Sequence, residues 1–171
     1  MMKKAKLLGT LPAIITAMIL LYSCSGENNK ALTVGGDIAS FSAADLRGRT
    51  YSLASYKGRP VIIRFFLLDC PKCKANTPVF NKFYNKFRQQ GLEIFYINNN
   101  GTKAADVQTF SSSLGIEFPV IFDPEGKIAK LYNIKVQPLT LVLSPEQKLL
   151  AALLGEVSEQ KLHELLGHYL L

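Results

Sequence analysis

Tryptophan is missing from the 171 residues, histidine occurs twice and cysteine only three times. An odd, uneven set of three cysteines excludes a disulfide-stapled scaffold, which uses an even and scattered set. A chain of this length buries an ordinary core, so folding requires neither a metal nor a staple. His163 and His168 are both near the C-terminus and poorly spaced for one helix face. They read as surface or helix-end residues rather than as half of a four-ligand zinc site. Internal repeats and long charged runs are lacking too. With 48% hydrophobic and 19% charged residues the composition is that of one globular domain with a short appendage. The net charge is +7, but Lys3, Lys4 and Lys6 supply three of those charges at the extreme N-terminus. The remaining excess is scattered, without the basic cluster that a nucleic-acid partner requires.

Those three lysines precede an apolar stretch from Leu7 to Leu21, followed by small residues. Basic, apolar and small-residue segments in that order form a secretory signal, predicted over residues 1–23. The stretch is short for a spanning helix, which needs about 20 apolar residues. Leu21-Tyr22-Ser23-Cys24 resembles a bacterial lipobox, and this resemblance implies lipidation at Cys24. A plain signal peptide or an uncleaved anchor is the alternative, and each of the three exports the rest of the chain. Residues 24–31 are polar and rich in Gly and Asn, the composition of a flexible tether. The remainder, 32–171, is the folded domain.

Phe41 to Leu53 reads as an N-terminal hairpin around Arg47-Gly48-Arg49. Lys57-Gly58-Arg59-Pro60 is a second turn, leading into the nearly continuous apolar run Val61 to Leu68. Such a run suits a strand covered on both faces. From Pro71 to Gln90 the pattern becomes helical, with Val79, Phe80, Phe83, Tyr84 and Phe87 forming a core-packing stripe. Leu92 to Ile97 is a second buried strand, and Ala104 to Leu114 a crossover helix. Phe118 to Phe122 and Leu139 to Leu143 are strand-like, Lys148 to Leu154 pairs with the latter, and Val157 to Leu170 is a terminal helix. The pattern predicts an α/β fold, a central mixed sheet with helices on both faces.

Cys70-Pro71-Lys72-Cys73 stands where the first buried strand gives way to the first helix. There the unpaired N–H groups and the helix dipole favour an anion, so Cys70 is expected to ionise readily and attack disulfides. Cys73 follows one turn later and serves as the resolving sulfur. Pro71 fits the first helical position. The charge of Lys72 favours thiolate.

Four segments, in order, resemble the TlpA/ResA-like membrane-anchored thiol–disulfide oxidoreductases of the redoxin group in the thioredoxin superfamily. They are Gly35 through Lys57-Gly58-Arg59-Pro60 to the C-x-x-C, then Pro78, then Phe118-Pro119-Val120-Ile121-Phe122-Asp123 with Gly126, and finally Tyr132 to Thr140. The likeness spans roughly residues 32–171 and implies a thioredoxin-like fold. It also implies a cis Pro138 against the disulfide, and a Gln137 backbone that hydrogen-bonds an incoming peptide. Three positions depart from the pattern. Asp69 replaces the usual aromatic before the first cysteine; it either opposes the Cys70 thiolate, selects a basic partner, or is a plain turn residue. Arg64 occupies the place of the buried acid that takes a proton from the resolving cysteine. Asn76 stands where a glutamate is common, and neither Arg64 nor Asn76 can act as a base. A buried Arg64 would lower both cysteine pKa values; an Arg64 reaching the sheet edge would pair with a surface carboxylate and leave them alone. Proton handling then falls to water or Asp69.

The resemblance therefore implies an extracytoplasmic, membrane-anchored enzyme, periplasm-facing in a Gram-negative cell. It would exchange or reduce disulfides of exported proteins, apocytochrome c during haem attachment being one such substrate, and draw electrons from a membrane thiol protein. No cofactor and no metal are expected. Two other functions compete. A thiol peroxidase would carry Pro-x-x-x-Thr/Ser-x-x-Cys, which the residues before Cys70 do not supply. A copper-binding chaperone module on the same fold would use a wider cysteine spacing and a downstream histidine, and no His lies between Cys70 and His163.

Overall fold

The structure, a computed structural model, describes residues 32–100 and 103–170. The expected signal segment 1–23, the lipidation candidate Cys24 and the tether 24–31 lie outside the described residues. A two-stranded hairpin, β1 (Ser42–Ala44) and β2 (Thr50–Ser52), comes first. It is shorter than the expected Phe41–Leu53 because the carboxylate of Asp45 accepts the backbone N–H groups of Arg47 and Arg49, each at 2.9 Å, and so closes the turn early. Leu53–Tyr56 is a short 3-10 turn.

The main sheet has five strands: β3 (Val61–Phe66), β4 (Glu93–Asn98), β5 (Val120–Phe122), β6 (Leu139–Leu143) and β7 (Leu149–Leu154). Their order is β5-β4-β3-β6-β7. β5, β4 and β3 run parallel, β6 runs against β3 and β7 against β6, so the sheet is mixed as predicted. Every residue of β3 is buried, which explains its unbroken apolar sequence: it is the central strand, with β4 and β6 on its two sides.

Side chains of β3 alternate between two cores. Ile62 and Phe66 pack with α1 (Pro71–Phe87), α2 (Ala104–Ser113) and α4 (Glu159–Leu166). Val61, Ile63 and Phe65 pack with the hairpin side and α3 (Lys127–Leu131). Arg64 shares the parity of Ile62 and Phe66, so it enters the core beneath α1. Phe80, Phe83 and Phe87 form the buried stripe of α1, as their spacing requires. The helices predicted to reach Gln90 and Leu170 both tighten into 3-10 turns at their ends, Arg88–Gln90 and Gly167–Tyr169. The helix α3 was not anticipated. Asp123 creates it, its carboxylate accepting the N–H groups of Lys127, Ile128 and Ala129 at 2.8–3.2 Å.

Candidate redox-active site

After Phe66 the chain passes through half-buried Leu67 and Leu68 and exposed Asp69 into α1. Cys70 is the N-cap of that helix, with extended backbone (φ −95°, ψ 108°), and Pro71 takes the first helical position. The Cys70 sulfur accepts the N–H of Cys73 at 3.1 Å, the role a capping oxygen plays elsewhere. A negative sulfur here meets the positive end of a 17-residue helix. Cys70 is half-buried and Cys73 is 1% exposed, both as free thiols. One sulfur can meet a partner while the other stands one turn behind it. Lys72 is exposed on the rim, as is Asp69.

Burial pushes the Cys73 thiol up to about 12, helped by its hydrogen bond to Cys70. The Leu67 backbone, through a hydrogen bond, and the Arg64 cation pull the other way, and they lose. The charge acts in the predicted direction on Cys73, but desolvation outweighs it.

Arg64 itself is fully buried, so it does not reach a sheet edge or a surface carboxylate. The reason is topological: β3 is the centre of the sheet and offers no edge. Its guanidinium donates to the Thr140 hydroxyl at 2.6 Å and to the Gly155 carbonyl at 3.4 Å, and lies 4.7 Å from the centre of the Phe80 ring. All three are neutral, and among the described residues the Nε–H has no hydrogen-bond partner. Burial lowers the Arg64 pKa, against Tyr96, the two cysteines and Glu156, whose negative forms would favour the cation.

The Gln137–Pro138 bond is cis, immediately before β6. The Gln137 side chain donates to Asn99 at 2.7 Å, and the Pro138 carbonyl accepts from the Gly155 N–H at 2.9 Å. Gly155 thus joins the cis-proline segment to Arg64. It sits at φ +86°, a conformation glycine adopts without a Cβ penalty. Asn76 is 7% exposed and pairs both ways with the Val157 backbone, donating to its carbonyl and accepting its N–H, each at 2.9 Å. A groove of about 590 Å³ opens beside it, lined by Val79, Leu153, Leu154, Glu156 and Lys161 among others. Thr140, Gly155 and the Asn76 clamp were missed from sequence. Only Gly155, a glycine directly after a strand, carried any local signal.

His163 is remote from the sulfurs. The His163 ring packs 5.9 Å from that of Phe87. Phe87 is the last residue of α1, and at 1.5 Å per residue it stands about 21 Å along the helix from Cys73. Among the described residues, no group of three or more His, Cys, Asp or Glu could hold a metal ion.

The AhpC/TSA family matches residues 34–152. The thiol-disulfide oxidoreductase ResA of Bacillus subtilis strain 168 is 29% identical over 168 residues, covering 96% of this chain and 93% of the relative. ResA of Bacillus cereus is 28% identical over 146 residues, covering 85% and 84%. A solved structure described as a thiol:disulfide interchange protein DsbE, from Chlorobium tepidum, has a TM-score of 0.74 at 25% identity, covering 82% of this chain and 99% of that one. A secreted Mycobacterium tuberculosis disulfide oxidoreductase has a TM-score of 0.67 at 21% identity, covering 75% and 95%, a likeness of fold.

Proposed function

The chain belongs to the AhpC/TSA family and is a thiol–disulfide oxidoreductase, and from that premise we propose that it exchanges disulfides with exported proteins, Cys70 attacking and Cys73 resolving. One observation carries the assignment: the half-buried Cys70 sulfur caps α1 while Cys73 is buried behind it. The Cys70 thiolate attacks one sulfur of the partner disulfide, and the other partner sulfur leaves as a thiolate. Cys73 then attacks Cys70, closing the Cys70–Cys73 disulfide and releasing the second partner thiolate. Two electrons pass from the cysteine pair to the partner. In the reverse direction the same steps oxidise a partner dithiol.

Gln137 and Pro138 form the backbone edge on which a partner segment would lie. Lys72 and Asp69, both exposed, would tune which surfaces approach. Export and tethering through a lipidated Cys24 rest on the lipobox-like Leu21 to Cys24. Stable anchoring needs more than one acyl chain. Mass spectrometry of the mature protein tests this: an acylated Cys24 at the N-terminus is expected, and an unmodified N-terminus elsewhere ends the idea. The narrower reading, an apocytochrome c partner and a membrane thiol protein as electron donor, rests on the resemblance to membrane-anchored relatives.

The peroxidase alternative lacks its hydroxyl, since Leu67 stands three residues before Cys70. The copper alternative lacks its ligand, given the distance from His163 to the sulfurs. Trapping tests the roles of the two cysteines. Cys73→Ser should accumulate mixed disulfides with exported proteins, and Cys70→Ser should not. Equal trapping, or more from the Cys70 variant, reverses the assignment.

A further inference from the structure

We propose that Arg64 is an electrostatic positioning residue that replaces a buried base, stabilising the Cys73 thiolate at the moment it resolves the mixed disulfide. The proposal rests on the assignment of Cys70 as attacking and Cys73 as resolving sulfur.

Three observations lead to it. A guanidinium in the middle of the central strand is costly to bury, and the usual compensation is a carboxylate. Here, among the described residues, the hydrogen-bond partners are a hydroxyl and a carbonyl, and the Nε–H is left without one. The charge is therefore anchored but not neutralised. The titratable groups coupled to it are Cys70 and Cys73 at the start of α1, Tyr96 on β4 and Glu156 after β7. Burial holds Tyr96 as the neutral phenol, and Glu156 lines the groove beside Asn76. Cys73 belongs to the same buried cluster as Ile62, Phe66 and Phe80, the face of β3 and α1 into which the Arg64 guanidinium projects, so among the described residues it is the buried group of that cluster that can become an anion beneath α1.

The second element is timing. Before the attack, Cys73 is held protonated by burial and, with Cys70 as the thiolate, by its hydrogen bond to Cys70 and by that charge. Once Cys70 is bonded to a partner sulfur it no longer carries that charge and no longer offers the same acceptor. Two of the three opposing causes fall away, while Arg64 and the Leu67 backbone remain. Cys73 thus becomes easier to ionise only when it is needed as a nucleophile. Its proton goes to water, no buried carboxylate being hydrogen-bonded at either Cys73 or Arg64 among the described residues. The thiolate then attacks the Cys70 sulfur, the new S–S bond forms, and the partner sulfur leaves with the electron pair.

The test is single-turnover kinetics of the full chain with oxidised glutathione, following formation and then loss of the Cys70–glutathione mixed disulfide across pH. Arg64→Gln should slow resolution tenfold or more at neutral pH and move its pH profile upward by about one pH unit. Formation of the mixed disulfide should change less. Arg64→Lys, which keeps a positive charge, should move the profile by a smaller amount. An unmoved resolution profile in folded Arg64→Gln overturns the proposal, as does an equal shift in the Gln and Lys variants. Should Arg64→Gln not fold, the wild-type chain alkylated at Cys70 supplies the answer. The carbon-13 signal of the Arg64 guanidinium should then track the titration of Cys73, and a flat signal rejects the coupling. Failure of the cysteine assignment would look different: no mixed disulfide at Cys70 would form in any variant.

Discussion

Truncating Asn76 should loosen the site without touching either sulfur. Its amide makes two hydrogen bonds of 2.9 Å to the Val157 backbone, tying the first turns of α1 to the segment between β7 and α4. Asn76→Ala leaves a buried N–H and a buried C=O without partners, at about 1–3 kcal/mol each. The adjoining groove admits water to part of that surface, so about 2–4 kcal/mol for the pair is expected. Against a total stability of about 5–15 kcal/mol this is a large fraction. At roughly 3–4 °C per kcal/mol for a domain of this size, Tm should fall by about 6–16 °C. Asn76→Asp separates the donor from the acceptor. Protonated, its carboxyl can still donate to the Val157 carbonyl; ionised, it faces that carbonyl with a negative charge. The folded variant therefore holds its proton more tightly than the unfolded chain, and its stability should decline as pH rises above about 4. Urea unfolding of the reduced proteins from pH 4 to 8 measures both effects. An Ala variant within about 0.5 kcal/mol of wild type at unchanged m-value, or a pH-independent Asp variant, refutes the clamp.

At pH 8 iodoacetamide should label Cys70 and spare Cys73 in the native protein, and label both in urea; equal native labelling contradicts the burial of Cys73. Because that thiol is raised to about 12, the reduced protein keeps a proton that the unfolded chain releases near pH 8.5. Its stability should fall as pH rises above that value, and Cys73→Ser should flatten the fall. Burial also raises Glu93, although the Ile94 N–H and Tyr56 oppose it. The folded state thus holds this proton longer than the unfolded chain, and the associated stability is lost as pH climbs above about 4.3. Glu93→Gln should gain on wild type between pH 4 and 7 in urea titrations, and a constant difference would exclude this. Thr140→Val removes the 2.6 Å acceptor from a charged donor, so about 2–3 kcal/mol should be lost in the same assay.

Much of the architecture is visible in local sequence because each element's burial is written in its own periodicity. The apolar run at Val61 to Phe66 marks the central strand, and the Phe80, Phe83 and Phe87 spacing marks the buried face of α1. The cysteine pair is equally visible, since strand end, Pro71 and helix start are contiguous. What was not legible depends on contacts between distant residues. Arg64 meets Thr140 across 76 residues and Gly155 across 91, and Asn76 meets Val157 across 81. No window of sequence contains those partners. The net ionisation of Cys73 was not legible for a related reason. The sign of a nearby charge can be inferred from sequence, but the depth of burial that outweighs it comes from the packed core. The helix α3 escaped because five residues show no period, and its cap at Asp123 works through backbone N–H groups.

Equilibrating the full chain against glutathione buffers, quenching with an alkylating reagent and weighing the product tests the central claim most directly. A single two-electron transition is expected, with both Cys70 and Cys73 alkylated on one side and an intramolecular Cys70–Cys73 disulfide on the other. Its midpoint should fall within the range of about −270 to −120 mV spanned by thioredoxin-fold couples. A pair that forms no intramolecular disulfide at any poise, or that accumulates only glutathione adducts, would contradict the account.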